Sequence, residues 1–160
     1  MAMDERNRLF DVRLDDASLA ATTTDAEHDR RVAIFDLLEK NHFVLEGIDE
    51  GPYALTIAVQ EQRRLTLDIS DRQGQPIRAV ILALSSFRQI VKDYFMICDS
   101  YYEAIRKASP GQIEAIDMAR RGLHNEAAEL LQERLAGKIK VDHDTARRLF
   151  TLICALHARA

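Results

Sequence analysis

The chain has 160 residues, of which 47% are hydrophobic and 30% charged, with six Gly and three Pro. This composition is typical of a globular protein and argues against a disordered or linker-rich chain. The formal net charge of −4 gives no general attraction to nucleic-acid phosphates. We therefore expect a single folded domain over residues 1–160, which is near the usual length of one domain.

The N-terminal sequence and the cysteines indicate a cytoplasmic protein. The opening segment, MAMDERNRLF, lacks the apolar region of a secretory signal, and no run approaches the ~18 apolar residues of a membrane span. Cys98 and Cys154 fall on apolar faces of predicted helices, where a reduced thiol packs as a small hydrophobe. We expect a cytoplasmic location and no membrane partner.

Residues 8–84 are predicted to contain the β-sheet, after a frayed tail at residues 1–7. Phe10, Val12 and Leu14 alternate with charged residues, which is the period of a half-buried strand. This segment is the first predicted strand.

A helix is predicted next in the chain. Thr24 and Glu27 have the spacing of a capping box, in which each side chain satisfies a free backbone donor, and the helix should reach about Asn41. The residues expected to face the core are Ile34, Phe35 and Leu38.

Three alternating segments between Phe43 and Leu84 predict an antiparallel meander. The first connection is centred on Glu61 and Gln62, and the second is DRQGQP, whose Gly and Pro favour a turn. The third segment is apolar on both faces, so we expect it to be central in the sheet and covered by helices. The alternating apolar residues are Tyr53, Leu55, Ile57 and Val59 in the first segment and Leu65, Leu67 and Ile69 in the second.

Residues 86–160 are predicted to form a helical half. Ser86 and Gln89 have the spacing of a second capping box, after which apolar residues recur every three or four positions in one stripe. The stripe consists of Phe87, Ile90, Val91, Tyr94, Phe95, Cys98, Tyr101, Tyr102 and Ile105.

A further start signal lies at Ser109, which is followed by Pro and by Gln112. The apolar phase then runs through Gly122, so we favour one long helix that ends before Gly137. The rival interpretation is a break at Gly122 that is capped again by Asn125.

The last helix is predicted to begin at Asp142, whose carboxylate can cap it. The elements together predict an α+β fold, with a small antiparallel β-sheet packed against a helical C-terminal half. The apolar face expected on the last helix comprises Leu149, Phe150, Ile153, Leu156 and His157.

The motifs of common enzyme classes are missing from the sequence. It contains no G-x-S-x-G, P-loop or G-x-G-x-x-G. Asp142, His143 and Asp144 could ligate a metal, but helix capping explains the aspartates more simply. We expect no catalytic residue, no metal and no cofactor. If the protein were an enzyme whose site is assembled from residues distant in the chain, the best candidates for catalytic residues would be Tyr101, His124, Asp142 and His143.

Two surface features suggest interaction. Met96 lies opposite the apolar stripe, among charged residues, which is a weak sign of a partner surface. Residues 134–160 carry six basic and two acidic side chains, yet they lack the interleaved aromatic residues that stack on unpaired bases. The candidate interaction surface comprises Met96, Arg120, Arg121, Lys138, Lys140, Arg147 and Arg148.

Three segments carry a resemblance to a known family: IVKDYFMICDSYYEAIR, SPGQIEAIDMARRGLHNE and DTARRLFTLIC. They resemble a family of small bacterial proteins that has no assigned activity, and the resemblance spans nearly the whole chain. It implies no catalytic or binding residue.

Our leading hypothesis is a non-enzymatic cytosolic protein-interaction or regulatory protein with a protein partner. The alternative is an RNA- or phosphate-binding module that uses the basic C-terminal face. The oligomeric state is left open by the sequence.

Overall fold

The computed structural model describes residues 5–15 and 24–157. It confirms the predicted α+β class. In chain order the elements are β1 (Leu9–Leu14), α1 (Thr24–Glu39), β2 (Phe43–Leu45), β3 (Tyr53–Gln60), β4 (Arg64–Ser70), β5 (Pro76–Ala83), a 3₁₀ turn (Leu84–Ser86), α2 (Arg88–Lys107), α3 (Pro110–Leu135), β6 (Ile139–Val141) and α4 (His143–Leu156).

The main sheet has the strand order β1-β3-β4-β5. Strands β3, β4 and β5 form the predicted antiparallel meander, and both residues at the centre of its first connection, Glu61 and Gln62, have φ of 56°. Strand β1 is parallel to β3, so the sheet is mixed and the prediction of a purely antiparallel sheet was wrong. Parallel neighbours need a crossover, and α1 lies in that connection.

The third strand of the meander lies at the edge of the sheet, and the central position predicted for it was wrong. In β5, Val80 and Leu82 are buried, whereas Ile81 is 55% exposed and Ala83 is exposed. A short apolar run does not distinguish a strand covered on both faces from an edge strand with one solvent face.

Helix α1 buries Ala33 and Leu37 and leaves Ile34 and Leu38 half-buried. Phe35 is 68% exposed, so its predicted place in the core was wrong. It lies two residues from both Ala33 and Leu37, and at about 100° per residue it faces away from them.

The capping box predicted at Ser86 was also wrong. A 3₁₀ turn includes Ser86, the N-cap of α2 is Phe87, and no side-chain hydrogen bond caps this end. Phe87 N donates to Leu84 O within the 3₁₀ turn, so backbone geometry replaces the serine cap. The predicted stripe on α2 is buried or half-buried as far as Tyr102, whereas Ile105 is 51% exposed.

The predicted starts of α3 and α4 are confirmed. Gln112 N donates to Ser109 Oγ and Ser109 N donates to Gln112 Oε1, which completes the capping box of α3. Helix α3 continues through Gly122, as the favoured interpretation predicted. Thr145 N donates to Asp142 Oδ1 at 2.9 Å, and every residue of the predicted apolar face of α4 is buried.

A second sheet, made of β2 and β6, was not predicted. Each strand has only three residues, which is too short for a clear alternation signal. Arg78 of β5 donates to Glu46 O and to Lys138 O, both at 3.0 Å, and thereby ties this small sheet to the main one.

Asn41 connects the end of α1 to β1. Its side chain is buried, and Leu9 N donates to its Oδ1 at 2.7 Å, while its Nδ2 donates to Leu9 O at 3.0 Å and to Leu37 O at 2.7 Å. The side-chain amide of Asn41 thus satisfies the backbone N–H and C=O of Leu9, at the edge of β1 that faces away from β3.

The two residues after Asn41 make further connections. His42 N donates to Thr145 Oγ1 of α4, and Phe43 N donates to Asn7 O, which belongs to the segment predicted as a tail; residues 1–4 of that segment lie outside the described residues. We call residues 41–43 the junction, because they join α1, β1, β2 and α4.

We predict that Asn41→Ala lowers the free energy of unfolding by about 3 kcal/mol, because it leaves buried backbone groups of Leu9 and Leu37 without hydrogen bonds. Urea denaturation of both proteins measures the change. The matched control is Asn125→Ala, which alters an exposed asparagine and should change stability by less than ~0.5 kcal/mol. Equal small effects of the two substitutions would contradict the role of the junction.

Candidate functional site

The structure distributes the predicted interaction residues over three places. Four arginines line one cleft between helices, Met96 lines a separate groove, and Lys138 and Lys140 line neither. We call the first the arginine cleft; it is a cavity of about 380 Å³ between α1, α2, α3 and α4. Its lining comprises His28, Asp29, Val32, Ala33, Asp36, Tyr94, Arg120, Arg121, His124, Asp144, Arg147, Arg148 and Thr151.

The two arginines from α3 are already paired. Arg120 Nη2 lies 2.7 Å from Asp117 Oδ1, and Arg121 Nε lies 3.2 Å from Asp117 Oδ2. The hydrogen bond from Arg120 lowers the pKa of Asp117 below its usual range. The Arg120 guanidinium also lies 4.3 Å from the centre of the Tyr101 ring, so it has both an anionic and an aromatic partner.

The two arginines from α4 have no such partner. Over the described parts of the chain, no carboxylate oxygen lies within 4.0 Å of Arg147 or Arg148. Arg147 Nη2 donates to His124 Nδ1 at 3.3 Å, and the buried Arg147 Nε has no hydrogen-bond partner among the described residues. A guanidinium has five N–H donors, so most of those of Arg147 are left for another acceptor.

His124 is held as a neutral side chain. Its Nε2 lies 2.7 Å from Arg147 O, and a carbonyl can only accept, so the proton is on Nε2 and Nδ1 is an acceptor. Burial lowers the pKa of His124 to about 4, and the charges of Arg147 and Arg120 act in the same direction. At neutral pH His124 therefore orients Arg147 without cancelling its charge.

The contact between Thr151 and His124 is not that of a nucleophile with its base. Thr151 Oγ1 lies 3.3 Å from His124 Nε2 and donates to Arg147 O at the same distance. Because Nε2 carries a proton that is donated to Arg147 O, it cannot accept the proton of the threonine hydroxyl.

The four candidate residues for an enzymatic site each make a different contact. His124 lines the arginine cleft, Asp142 caps α4, and His143 Nε2 lies 3.2 Å from Asn125 Oδ1. Tyr101 lies against Arg120. Among the residues that the structure describes, no group of three or more His, Cys, Asp or Glu side chains could hold a metal ion.

The wall of the cleft that α1 contributes was not predicted. It carries Asp29 and Asp36, and Tyr102 OH donates to Asp29 Oδ2 at 2.7 Å. The two aspartates are seven residues apart, which places them on one helix face. This spacing is the sequence signal that could have indicated the acidic wall. The sequence did not show that this face would pack opposite α3 and α4.

The second feature, which we call the Met96 groove, is a cavity of about 550 Å³ along α2. Met96 is 61% exposed, in agreement with its predicted position opposite the stripe. The ring of His157 also lines the groove; its Nδ1 donates to Ile153 O, and its buried Nε2 has no hydrogen-bond partner in the part of the chain that the structure describes. The lining comprises Gln62, Leu84, Arg88, Gln89, Val91, Lys92, Phe95, Met96, Asp99 and His157.

The predicted free cysteines are both buried. Burial raises the pKa of Cys98 to about 11, so it is a thiol at neutral pH, and burial also raises the pKa of Tyr94. Within the described ranges, no helix is both long and apolar enough to cross a bilayer.

We predict that the pH dependence of stability changes in His124→Gln, which removes the titrating group and keeps a side-chain N–H. The folded-state pKa of about 4 lies below the unfolded value of 6.5, so the unfolded chain binds more protons and wild-type stability falls as the pH drops through this interval. Between these two pH values, the wild type should lose about 3 kcal/mol more than the variant.

Urea denaturation at both pH values measures this difference. The pKa of His157 is also lowered by burial, but that side chain titrates in both proteins and cancels in the comparison. The same pH-dependent loss in wild type and variant would show that His124 is not held neutral.

Comparison with known proteins identifies the family. Residues 6–159 match the model of an uncharacterised protein family, UPF0262. The chain is 60% identical to a UPF0262 protein of Hyphomonas neptunium, over 95% of this chain and 93% of that protein, and 57% identical to one of Rhodospirillum rubrum, over 98% and 96%. No solved structure matches the chain. The chain therefore belongs to the UPF0262 family, a bacterial family with no assigned activity, as its resemblance implied.

Proposed function

We propose that this protein is a non-enzymatic, cytoplasmic protein-interaction or regulatory protein, and that a partner protein docks in the Met96 groove. The observation that carries the proposal is Met96, which is 61% exposed in a groove that the half-buried Phe95 also lines. Exposed apolar surface with a polar rim is typical of interaction sites, and methionine adapts its shape to a partner.

The charges around the groove indicate the chemistry of the partner. Arg88 and Lys92 are one helical turn apart on the rim, and neither has a carboxylate within 4.0 Å among the residues described. Arg88 donates to Gln62 O, which fixes the position of its guanidinium. A segment that combines apolar side chains with flanking acidic residues would complement this surface.

The non-enzymatic part of the proposal is supported by the state of the reactive groups. The Nε2 of His124 is already a donor to Arg147 O, and the raised pKa of Cys98 keeps it a thiol. A buried thiol without an activating base is a poor nucleophile. Two buried, reduced cysteines are also what a cytoplasmic protein would carry.

The alternative of RNA binding by the basic C-terminal face receives less support. Lys138 and Lys140 are outside the cleft that the arginines line, and that cleft also contains three aspartates. Carboxylates in the same cleft as the arginines would repel the successive phosphates of a nucleic-acid strand. The arginines favour a compact anion over an extended polymer.

We predict that Met96→Asp reduces recovery of the protein partner at least about tenfold, because it places a charge against an apolar and acidic segment. The tagged protein is purified from its own cells at native level, with and without nuclease, and the stoichiometric partner is quantified. Met118→Asp is the matched control, because Met118 is 60% exposed and lies outside the groove.

Recovery should be unchanged for Met118→Asp and insensitive to nuclease. Equal recovery with Met96→Asp would contradict docking in the groove. Nuclease-sensitive recovery would favour the RNA-binding alternative, and recovery of only the protein itself would indicate a second copy as the occupant.

A further inference from the structure

We infer that the arginine cleft binds a compact phosphate-bearing ligand, with Arg147 and Arg148 as the groups that bind the phosphate. This site shares no lining residue with the Met96 groove, so the inference does not depend on the proposed partner interaction.

The cleft contains two classes of arginine. Arg120 and Arg121 form ion pairs with Asp117, and these pairs explain both arginines without a ligand. Arg147 and Arg148 lie in the same cleft, and neither has a carboxylate within 4.0 Å in the described part of the chain. A partly buried guanidinium is costly to leave without a counter-charge, and an anionic ligand would supply one.

His124 holds Arg147 in place without neutralising it. Its only side-chain hydrogen bond within the described residues is to Nδ1 of His124, a neutral acceptor, and its buried Nε has no partner. A carboxylate in the place of His124 would orient the guanidinium and also neutralise it. The histidine fixes the direction of the guanidinium and leaves its positive charge available to a ligand.

The hydrogen-bond donors of Arg147 and Arg148 suit a phosphate as their acceptor. A guanidinium presents paired N–H donors that match two oxygens of one phosphate, and two neighbouring arginines suit a dianion better than a single carboxylate. The last helix contributes Arg147, Arg148 and Asp144 to the cleft, and α3 contributes Arg120 and Arg121. The four arginines outnumber this carboxylate and make a phosphate ester the class of ligand that they favour.

The opposite side of the cleft and its volume indicate the rest of the ligand. The α1 side of the cleft carries Asp29 and Asp36, so a ligand with hydroxyl or amine groups at its other end would find acceptors there. Asp29 already accepts a hydrogen bond from Tyr102, which holds its carboxylate in place. The cavity of about 380 Å³ accommodates a small molecule and is small for a polymer.

Isothermal titration calorimetry of the full-length protein at neutral pH tests the inference, with inorganic phosphate and pyrophosphate as probes and chloride matched for ionic strength. We expect saturable binding at one site per chain for the wild type. Arg147→Gln and Arg148→Gln should each weaken the dissociation constant at least about tenfold, because each removes a charged hydrogen-bond donor.

Arg134→Gln is the matched control, because Arg134 is exposed on α3 and lies outside the cleft; its affinity should equal that of the wild type. Thermal melting of each variant shows whether a loss of affinity is caused by a loss of folded protein. The side chain of Arg148 makes no hydrogen bond to the described residues, so its variant should fold as the wild type does even if Arg147→Gln is destabilised.

Several results would overturn the inference. These are no saturable binding by the wild type at millimolar phosphate or pyrophosphate, equal affinities in Arg148→Gln and Arg134→Gln, or equally tight binding of succinate, which would assign the site to carboxylates. A short RNA that binds more tightly than pyrophosphate, with affinity lost in Lys138→Ala and Lys140→Ala, would instead assign the arginines to a nucleic-acid surface.

Discussion

The hydrogen bonds at the junction, residues 41–43, are the constraint on which the other features depend. The edge of β1 away from β3 carries backbone groups that need partners, and the buried side-chain amide of Asn41 supplies them while it also binds the last turn of α1. The next residue, His42, donates to Thr145 at the start of α4. Because α1 and α4 form facing parts of the arginine cleft, the same few bonds support the sheet edge and the geometry of the candidate ligand site.

The arrangement of charge in that cleft differs from that of a surface stabilised by ion pairs. Asp117 binds two arginines at once, whereas Arg147 is held by a histidine that burial keeps uncharged. Pairs of the first kind contribute modestly to stability at a partly exposed site. An oriented arginine without a counter-ion contributes less to stability and more to the recognition of an anion, since its donors and charge are not already used. The cleft thus combines structural arginines with arginines that are available for binding.

Sequence signals were sufficient where the interacting groups are close in the chain. The caps of α3 and α4 join residues three positions apart, Ser109 with Gln112 and Asp142 with Thr145, so both could be predicted. The errors concern tertiary placement: nothing near Phe35 shows which side of α1 faces solvent, and an apolar run in β5 does not reveal that this strand lies at the edge of the main sheet. The arginine cleft could not be predicted from the sequence for the same reason. His124 and Arg147 are 23 residues apart and meet only when α3 packs against α4.

The central claim is that His124 is a neutral hydrogen-bond acceptor that orients Arg147 and leaves its charge uncompensated. The direct measurement is the pair of ¹⁵N chemical shifts of the His124 imidazole at neutral pH, assigned by comparison with the His124→Gln variant. The account predicts one protonated and one unprotonated nitrogen, with the proton on Nε2 and Nδ1 as the acceptor. An imidazolium with both nitrogens protonated, or a proton on Nδ1, would contradict it.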